Sequence, residues 1–404
     1  MKLRRCRHII AAVAACAVAG LGIAQAQQPA SVRIGYAISK TGPYAGGAST
    51  TTLPNYQLWV QEVNKAGGIK LADGRRVPVE VVEYDDRSSS EEAVRAIERL
   101  INQDKVDFVL PPWGTALNLA VGPVLDRAGY PHLAVTSVTN MVPQLSKRWE
   151  NAFFFGDTSS NYAEGVVAVL TQLRKDGKVE GNVAMVNVAD QFGIELANAA
   201  RPALEKAGFK IVYNQSYPIG TQDMQSIVNE MRRRNPDIVL AFSYPPDTIA
   251  FTDQAKTLGL NPSVFYTAVG TAFPLFKQRF GDNAEGVMGT GGIDTSSAAI
   301  RDYIARHQAA LGKEPDRWLS PVTYASLQVL QQAIEKVGSL DRKAVAQEIR
   351  NGSFDTVLGT ITLKDRVYSG GWMVGQWQNG EFHALAPMSG TGAQPAQVPK
   401  PHWK

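Results

Sequence analysis

The sequence predicts an α/β protein made of two like-built lobes, each centred on a parallel β-sheet. Three observations predict it. Strand-like and helix-like segments alternate along most of the chain, the alternation breaks near residues 148–160, and it then starts afresh. A length of 404 residues is also well above the roughly 100–200 typical of one domain.

The first unit opens with Val32, Ile34, Tyr36 and Ile38, apolar at period two as in a strand. Leu53, Tyr56, Val60 and Val63 follow at helical spacing, and residues 77–84 form a second β-branched run. Ser88 and Glu91 have the spacing of a capping box, which predicts a helix carrying Ala93, Ile97 and Leu100 on one face. Residues 106–110 and 132–135 are short apolar strands flanking another helix. This order implies parallel strands with right-handed crossovers and helices on the sheet faces. In the second unit, strands are expected at 182–188, 209–213, 237–242 and 264–267, with helices at 194–206 and 221–234. Three helical patterns follow at 298–311, 321–337 and 342–350, then strand-like runs at 357–363 and 372–377. Residues 388–404 are rich in Pro, Gly, Ala and Gln and are expected to be extended or flexible.

The N-terminus reads as a cleavable signal peptide, residues 1–26. A basic stretch precedes an apolar run over residues 9–24, and Ala24-Gln25-Ala26 offers small residues at −3 and −1. The run is shorter than the roughly 18–20 apolar residues that span a bilayer. Val13-Ala14-Ala15-Cys16 resembles a lipidation box, so lipoprotein processing is the alternative. Periplasmic localisation is expected, with no membrane insertion after cleavage. Cys6 and Cys16 are the only cysteines, so a chain cut after Ala26 has no thiol for catalysis, disulfides or metal binding.

The formal charge of +4 comes from Lys2, Arg4, Arg5 and Arg7; without them basic and acidic side chains are equal in number. That balance gives no electrostatic reason to expect nucleic acid as a partner. The motifs G-x-S-x-G, G-x-x-x-x-G-K-[ST] and H-E-x-x-H are all missing. His132 reads as a packed strand residue, and Asp85-Asp86 as a turn, because adjacent carboxylates in a strand point to opposite faces. No catalytic residue, cofactor or metal site is therefore expected, and an enzyme is disfavoured for want of a nucleophile–base pair.

In open parallel sheets, ligands bind outside the carboxyl ends of the strands. The loops there carry Tyr44, Trp113, Thr115, Thr136, Ser137, Thr139, Phe192 and Tyr244, hydroxyls and flat rings with hardly any charge. Such a lining suits a neutral or singly charged small molecule held by hydrogen bonds and stacking.

Several segments, taken in order, resemble the periplasmic leucine/isoleucine/valine-binding proteins, receptors of branched-chain amino acid ABC transporters. They are Thr41-Gly42-Pro43, Asn64-Lys65-Ala66-Gly67-Gly68-Ile69, Glu83-Tyr84-Asp85-Asp86, Asp190-Gln191-Phe192-Gly193, Ala284-Glu285-Gly286-Val287 and Thr323-Tyr324-Ala325. The resemblance implies the type I periplasmic binding protein fold: two doubly wound parallel-sheet lobes joined by three crossovers and closing like a hinge. The crossings would fall near 155–158, 290–294 and 364–370. The N-terminal lobe would comprise 27–156 plus 293–366, the C-terminal lobe 157–292 plus 367–388, and 389–404 would be a flexible tail.

The resemblance further implies that Trp113, Gly114 and Thr115, with Thr136, Ser137 and Thr139, receive a ligand carboxylate. Phe192 and Tyr244 would supply rings from the second lobe. Val269 falls where amino-acid binders of the family carry an acid for the ligand ammonium. A buried ammonium without a counter-charge costs several kcal/mol. An amine-free acid is therefore expected, aromatic because of the extra rings Tyr44 and Trp113, unless Asp190 or Asp247 replaces the missing charge. The function implied is that of a monomeric solute-binding protein handing a small molecule to ABC permease subunits. Binding of a branched-chain or other amino acid or amide, or a sensory ligand-binding role, is the alternative.

Overall fold

The computed structural model describes residues 29–404, so the segment read as a signal peptide, with both cysteines, lies outside the described residues. In the first lobe, Val32–Ile38 is the central strand, with Val79–Asp85 and Phe108–Leu110 parallel on either side. A second parallel pair, His132–Ala134 and Ala152–Phe154, follows them. The second lobe is a seven-stranded sheet in the order Glu381–Ala386, Val374–Gln378, Met288–Thr290, Val264–Thr267, Ile238–Phe242, Asn182–Val188, Lys210–Tyr217. Its last five strands run parallel and the first two join antiparallel. Every residue of Ile238–Phe242 is buried, as continuous apolar strands covered by helices on both faces must be.

The chain passes between the lobes three times. It leaves the first after Ala152–Phe154 for the helix Ser159–Lys175, which packs on the second sheet. It returns after Met288–Thr290 to the helix Ala298–Leu311, where Tyr303 Oη donates to Asn55 Oδ1 at 2.7 Å. It leaves again after Gly359–Ile361 for Val374–Gln378. The third passage runs beside the first: Phe154 N donates to the Arg366 carbonyl at 2.9 Å and Tyr368 N to the Phe154 carbonyl at 2.8 Å. At the second passage Gly291 and Gly292 have φ of +100° and +134°, and a Cβ on Gly291 would lie 2.7 Å from the Trp318 backbone. Close approach of two segments explains the glycine there.

Most local expectations were met to within a few residues, though the helix expected at 221–234 starts only at Gln225 and the strand at 209–213 runs on to Tyr217; three differences have a clear physical cause. The helix expected from Ser88 starts one residue later: Ser89 caps Ser90–Asn102, accepting from Glu92 N. Ser88 instead takes a positive φ, and its hydroxyl ties Thr41 to Tyr44, closing the loop after the first strand. The run at 357–363 is not one strand but part of a hairpin, Phe354–Thr356 with Gly359–Ile361, because Gly359 at φ +86° turns the chain. The largest difference is the segment 389–404. It was expected to be extended or flexible from its composition; it is extended, but strapped across the second lobe. Lys400 N donates to the Ser263 carbonyl, and Trp403 Nε1 to that of Leu260 at 2.7 Å. The Trp403 ring meets Phe265 edge-on at 5.3 Å, and Gln397 exchanges two 2.8 Å hydrogen bonds with the buried Gln376 amide. Aromatic burial and amide pairing outweigh the low apolar content of the segment.

Candidate functional site

The loops at the carboxyl ends of both sheets face each other, and they bring the predicted residues together. In the first lobe, Gly114 caps the helix Thr115–Arg127 at φ +97°, a conformation that favours glycine. Thr115 is thus the first helical residue, not the cap. Its buried hydroxyl accepts from Val138 N at 3.1 Å and donates to the Val138 carbonyl at 3.2 Å. Thr136 Oγ1 accepts from Gly114 N at 2.9 Å and donates to the Pro112 carbonyl at 3.3 Å. These two hydroxyls therefore join the 111–115 and 136–139 loops to each other.

Behind them Asn118 donates to the carbonyls of Pro112 and Gly114 and accepts from His132 Nε2 at 3.0 Å. Burial pushes the His132 pKa down to about 4, so the ring stays neutral and braces the loops as a packed residue. Replacing Thr115 by alanine should free Val138 and loosen Ser137. We expect a stability loss of about 1–2 kcal/mol and a roughly tenfold weaker ligand affinity by calorimetry in a protein that still folds. Unchanged affinity would show that the loop needs no such tie.

Two polar atoms on these loops are left over. Trp113 Nε1 and Ser137 Oγ are fully buried and have no hydrogen-bond partner among the described residues. Native proteins seldom leave such atoms orphaned, which makes these two donors candidates for receiving a ligand. The Trp113 indole lies flat against Gly47, where a Cβ would come within 2.2 Å of the ring.

The second lobe closes over them with rings. Tyr244 stacks on Phe192 at 5.0 Å and meets Trp113 at 5.3 Å and Tyr44 at 5.4 Å, while Tyr44 meets Trp113 at 5.7 Å. Rings from both lobes thus form one cluster. Asp190 caps the helix Gln191–Lys206 through Gly193 N at 2.9 Å, and its other oxygen accepts from Tyr244 Oη at 2.8 Å and Tyr44 Oη at 3.4 Å. Burial raises its pKa from the ordinary carboxylate value. Asp247 accepts from Tyr217 Oη at 2.5 Å and Tyr244 N at 3.0 Å, and burial pushes it up to about 6. Val269 is buried beside them with its backbone pinned by Ser243 and Thr248, and brings no charge.

Sequence reasoning missed Glu195. Half-buried on the helix of Phe192, it accepts from Thr139 Oγ1 at 2.9 Å and Asn140 N at 2.7 Å in the first lobe. Ser159 Oγ at 3.1 Å and Gln191 Nε2 donate to it from the second. Its position three residues after Phe192, hence on the same helix face, is the signal that could have found it.

A family model for periplasmic binding proteins matches residues 31–381. The chain belongs to the periplasmic binding protein family. Its curated relatives include Leu/Ile/Val-binding protein homolog 7 of Brucella suis biovar 1, 24% identical over 402 residues, covering 94% of this chain and 96% of the relative. A solved substrate-binding protein, LivJ from Streptococcus pneumoniae in complex with isoleucine, superposes with TM-score 0.75 at 20% identity, over 92% of this chain and 100% of that one. A solute-binding protein of an ABC transporter from R. palustris in complex with benzoate superposes with TM-score 0.76 at 17% identity, over 91% and 98%. The resemblance to the branched-chain amino acid binding proteins and the type I fold are thus borne out. Proteins of this family are extracytoplasmic ligand carriers rather than enzymes and work with ABC transporter permeases. Among the described residues of this periplasmic binding protein no helix is long and apolar enough to cross a membrane.

Proposed function

We propose that this protein is the receptor of an ABC importer for a small carboxylate without an amine, an aromatic acid above all, captured by closure of the two lobes. The observation that carries the reading is the pair of orphaned donors, Trp113 Nε1 and Ser137 Oγ, buried beside a cluster of four rings. The carboxylate is received by these two donors, and its apolar body lies against Tyr44, Phe192 and Tyr244. Thr139 borders the carboxylate site. Gly114, Thr115 and Thr136 hold the loops, and Val269 is part of the apolar wall.

An ammonium would have to compete with protein donors there. Both oxygens of Asp190 and both of Glu195 already accept protein donors, and Oδ2 of Asp247 is tied to Tyr217 and Tyr244. The alternative charges weighed from sequence, Asp190 and Asp247, are thus engaged. The solved relative bound to isoleucine keeps amino acids as the second reading, since Asp190 could exchange its tyrosine donors for an ammonium. Delivery through a signal peptide spanning residues 1–26 and a monomeric state belong to the same proposal.

Thermal unfolding of protein refolded free of bound ligand tests it, with benzoate, 4-hydroxybenzoate, isoleucine, leucine and aliphatic acids as probes. Ligand at about 100 times its dissociation constant adds about 2.7 kcal/mol, enough to raise the midpoint by several degrees. A rise with the amine-free acids alone supports the proposal. A rise with leucine or isoleucine alone overturns it in favour of the second reading.

A further inference from the structure

We infer that Glu195 is a positioning residue that reserves the Thr139–Asn140 corner when the lobes close, so that a ligand carboxylate must be seated at Ser137 and Trp113. The clause about the ligand rests on the carboxylate reading above; the clasp itself does not. Its carboxylate takes two donors from each lobe, so each oxygen is shared between a first-lobe and a second-lobe group: Oε1 between Thr139 Oγ1 and Gln191 Nε2, Oε2 between Asn140 N and Ser159 Oγ. The Asn140 side chain strengthens the same junction, its Oδ1 accepting from Ser160 N at 2.9 Å.

The consequence for specificity is electrostatic. Thr139 Oγ1 and Asn140 N are the kind of donors that hold a carboxylate, but a resident anion already occupies them. A second carboxylate in that corner would meet a like charge at close range in a half-buried site, where repulsion is screened far less than in water. Ser137 Oγ, on the same loop, and Trp113 Nε1 remain the open donors. Because the Glu195 contacts span the lobes, they form only as the cleft closes, and closure builds the charge pattern that orients the ligand.

The test uses the full protein with Glu195→Gln, Thr139→Val and the double variant. Lobe closure is read as the radius of gyration by small-angle scattering, first in buffer alone and then across titrations with benzoate and with isoleucine. Glutamine keeps the shape but turns one acceptor into a donor facing Thr139 or Asn140. We expect Glu195→Gln to be more expanded in buffer and to need roughly tenfold more probe to become compact, at a nearly unchanged unfolding midpoint. The double variant should fall short of the product of the single effects, since Thr139→Val removes one of the contacts that Glu195→Gln disturbs. Wild-type scattering and closure midpoint in Glu195→Gln, or single effects that multiply in the double variant, would overturn the inference. If neither probe compacts the wild type, the ligand-seating clause and the carboxylate reading fall together, while the buffer measurement still decides whether Glu195 clasps the lobes.

Discussion

Tyr244→Ala is expected to weaken ligand binding by at least about 100-fold, or about 2.7 kcal/mol, the largest effect of any single change in the cleft. The ring is the centre of the cluster: Phe192 stacks on it, and Tyr44 and Trp113 lean on it from the other lobe. Its hydroxyl is also the shorter of the two tyrosine bonds to Asp190. Truncation removes the surface on which an aromatic ligand would rest and leaves a cavity, costing about 3 kcal/mol of stability as well. Tyr244→Phe separates the two effects. It keeps the ring, forfeits a hydrogen bond worth about 1 kcal/mol, and should weaken binding roughly fivefold in a protein of near-normal stability. Calorimetric titration of both variants checks this. A folded Tyr244→Ala protein that binds like the wild type would move the site elsewhere.

Deleting residues 395–404 should lower the stability of the second lobe by about 3–5 kcal/mol, a large share of the 5–15 kcal/mol by which a domain is ordinarily stable. The segment covers Phe265 with Trp403 and satisfies two glutamine side chains. Gln376 and Gln378 are 0% and 4% exposed, so without Gln397 and Pro395 one N–H of each amide loses its acceptor, while Gln376 keeps the Gly286 carbonyl and Gln378 keeps Gln376 Oε1, at about 1–3 kcal/mol for each group left unpaired. The aromatic pair adds about 1 kcal/mol beyond the area it buries. The measurement is denaturant unfolding of the truncated protein beside Trp403→Ala, which should show about half the loss. A truncated chain with an unchanged midpoint would mean that the strap contributes nothing.

The strap also marks a limit of what can be read from a sequence. Its composition of Pro, Gln, Gly and Ala describes a segment without a core of its own, which is correct; its partners lie in other elements, some of them more than a hundred residues away. Alternating patterns were legible where burial repeats along a strand or helix, as in Asn182–Val188, Val264–Thr267 and Ala298–Leu311, whose bounds the pattern matched. The candidate site was legible as a set of loops because parallel sheets put their carboxyl ends in predictable places. The division of labour inside that set was not. Thr115 and Thr136 look like ligand hydroxyls in sequence, and only their geometry reveals that Val138, Gly114 and Pro112 already engage them. Glu195 stayed hidden for the opposite reason: one acidic residue on a helix is ordinarily a solvated one, and its partners come from another loop.

Both lobes are stitched from distant parts of the chain, and this governs when they can exist. Tyr303 fastens onto Asn55 and Gln331 onto Trp59 across 248 and 272 positions, while Trp403 closes over a lobe whose first strand begins at Asn182. A ribosome working from the N-terminus has made more than three-quarters of the polymer before the first lobe receives its Ser320–Val337 helix. The second lobe receives its strap only once Trp403 has been made. Neither half can settle early, and such long loops close slowly. The nascent protein is therefore expected to stay pliable until these distant segments have been made.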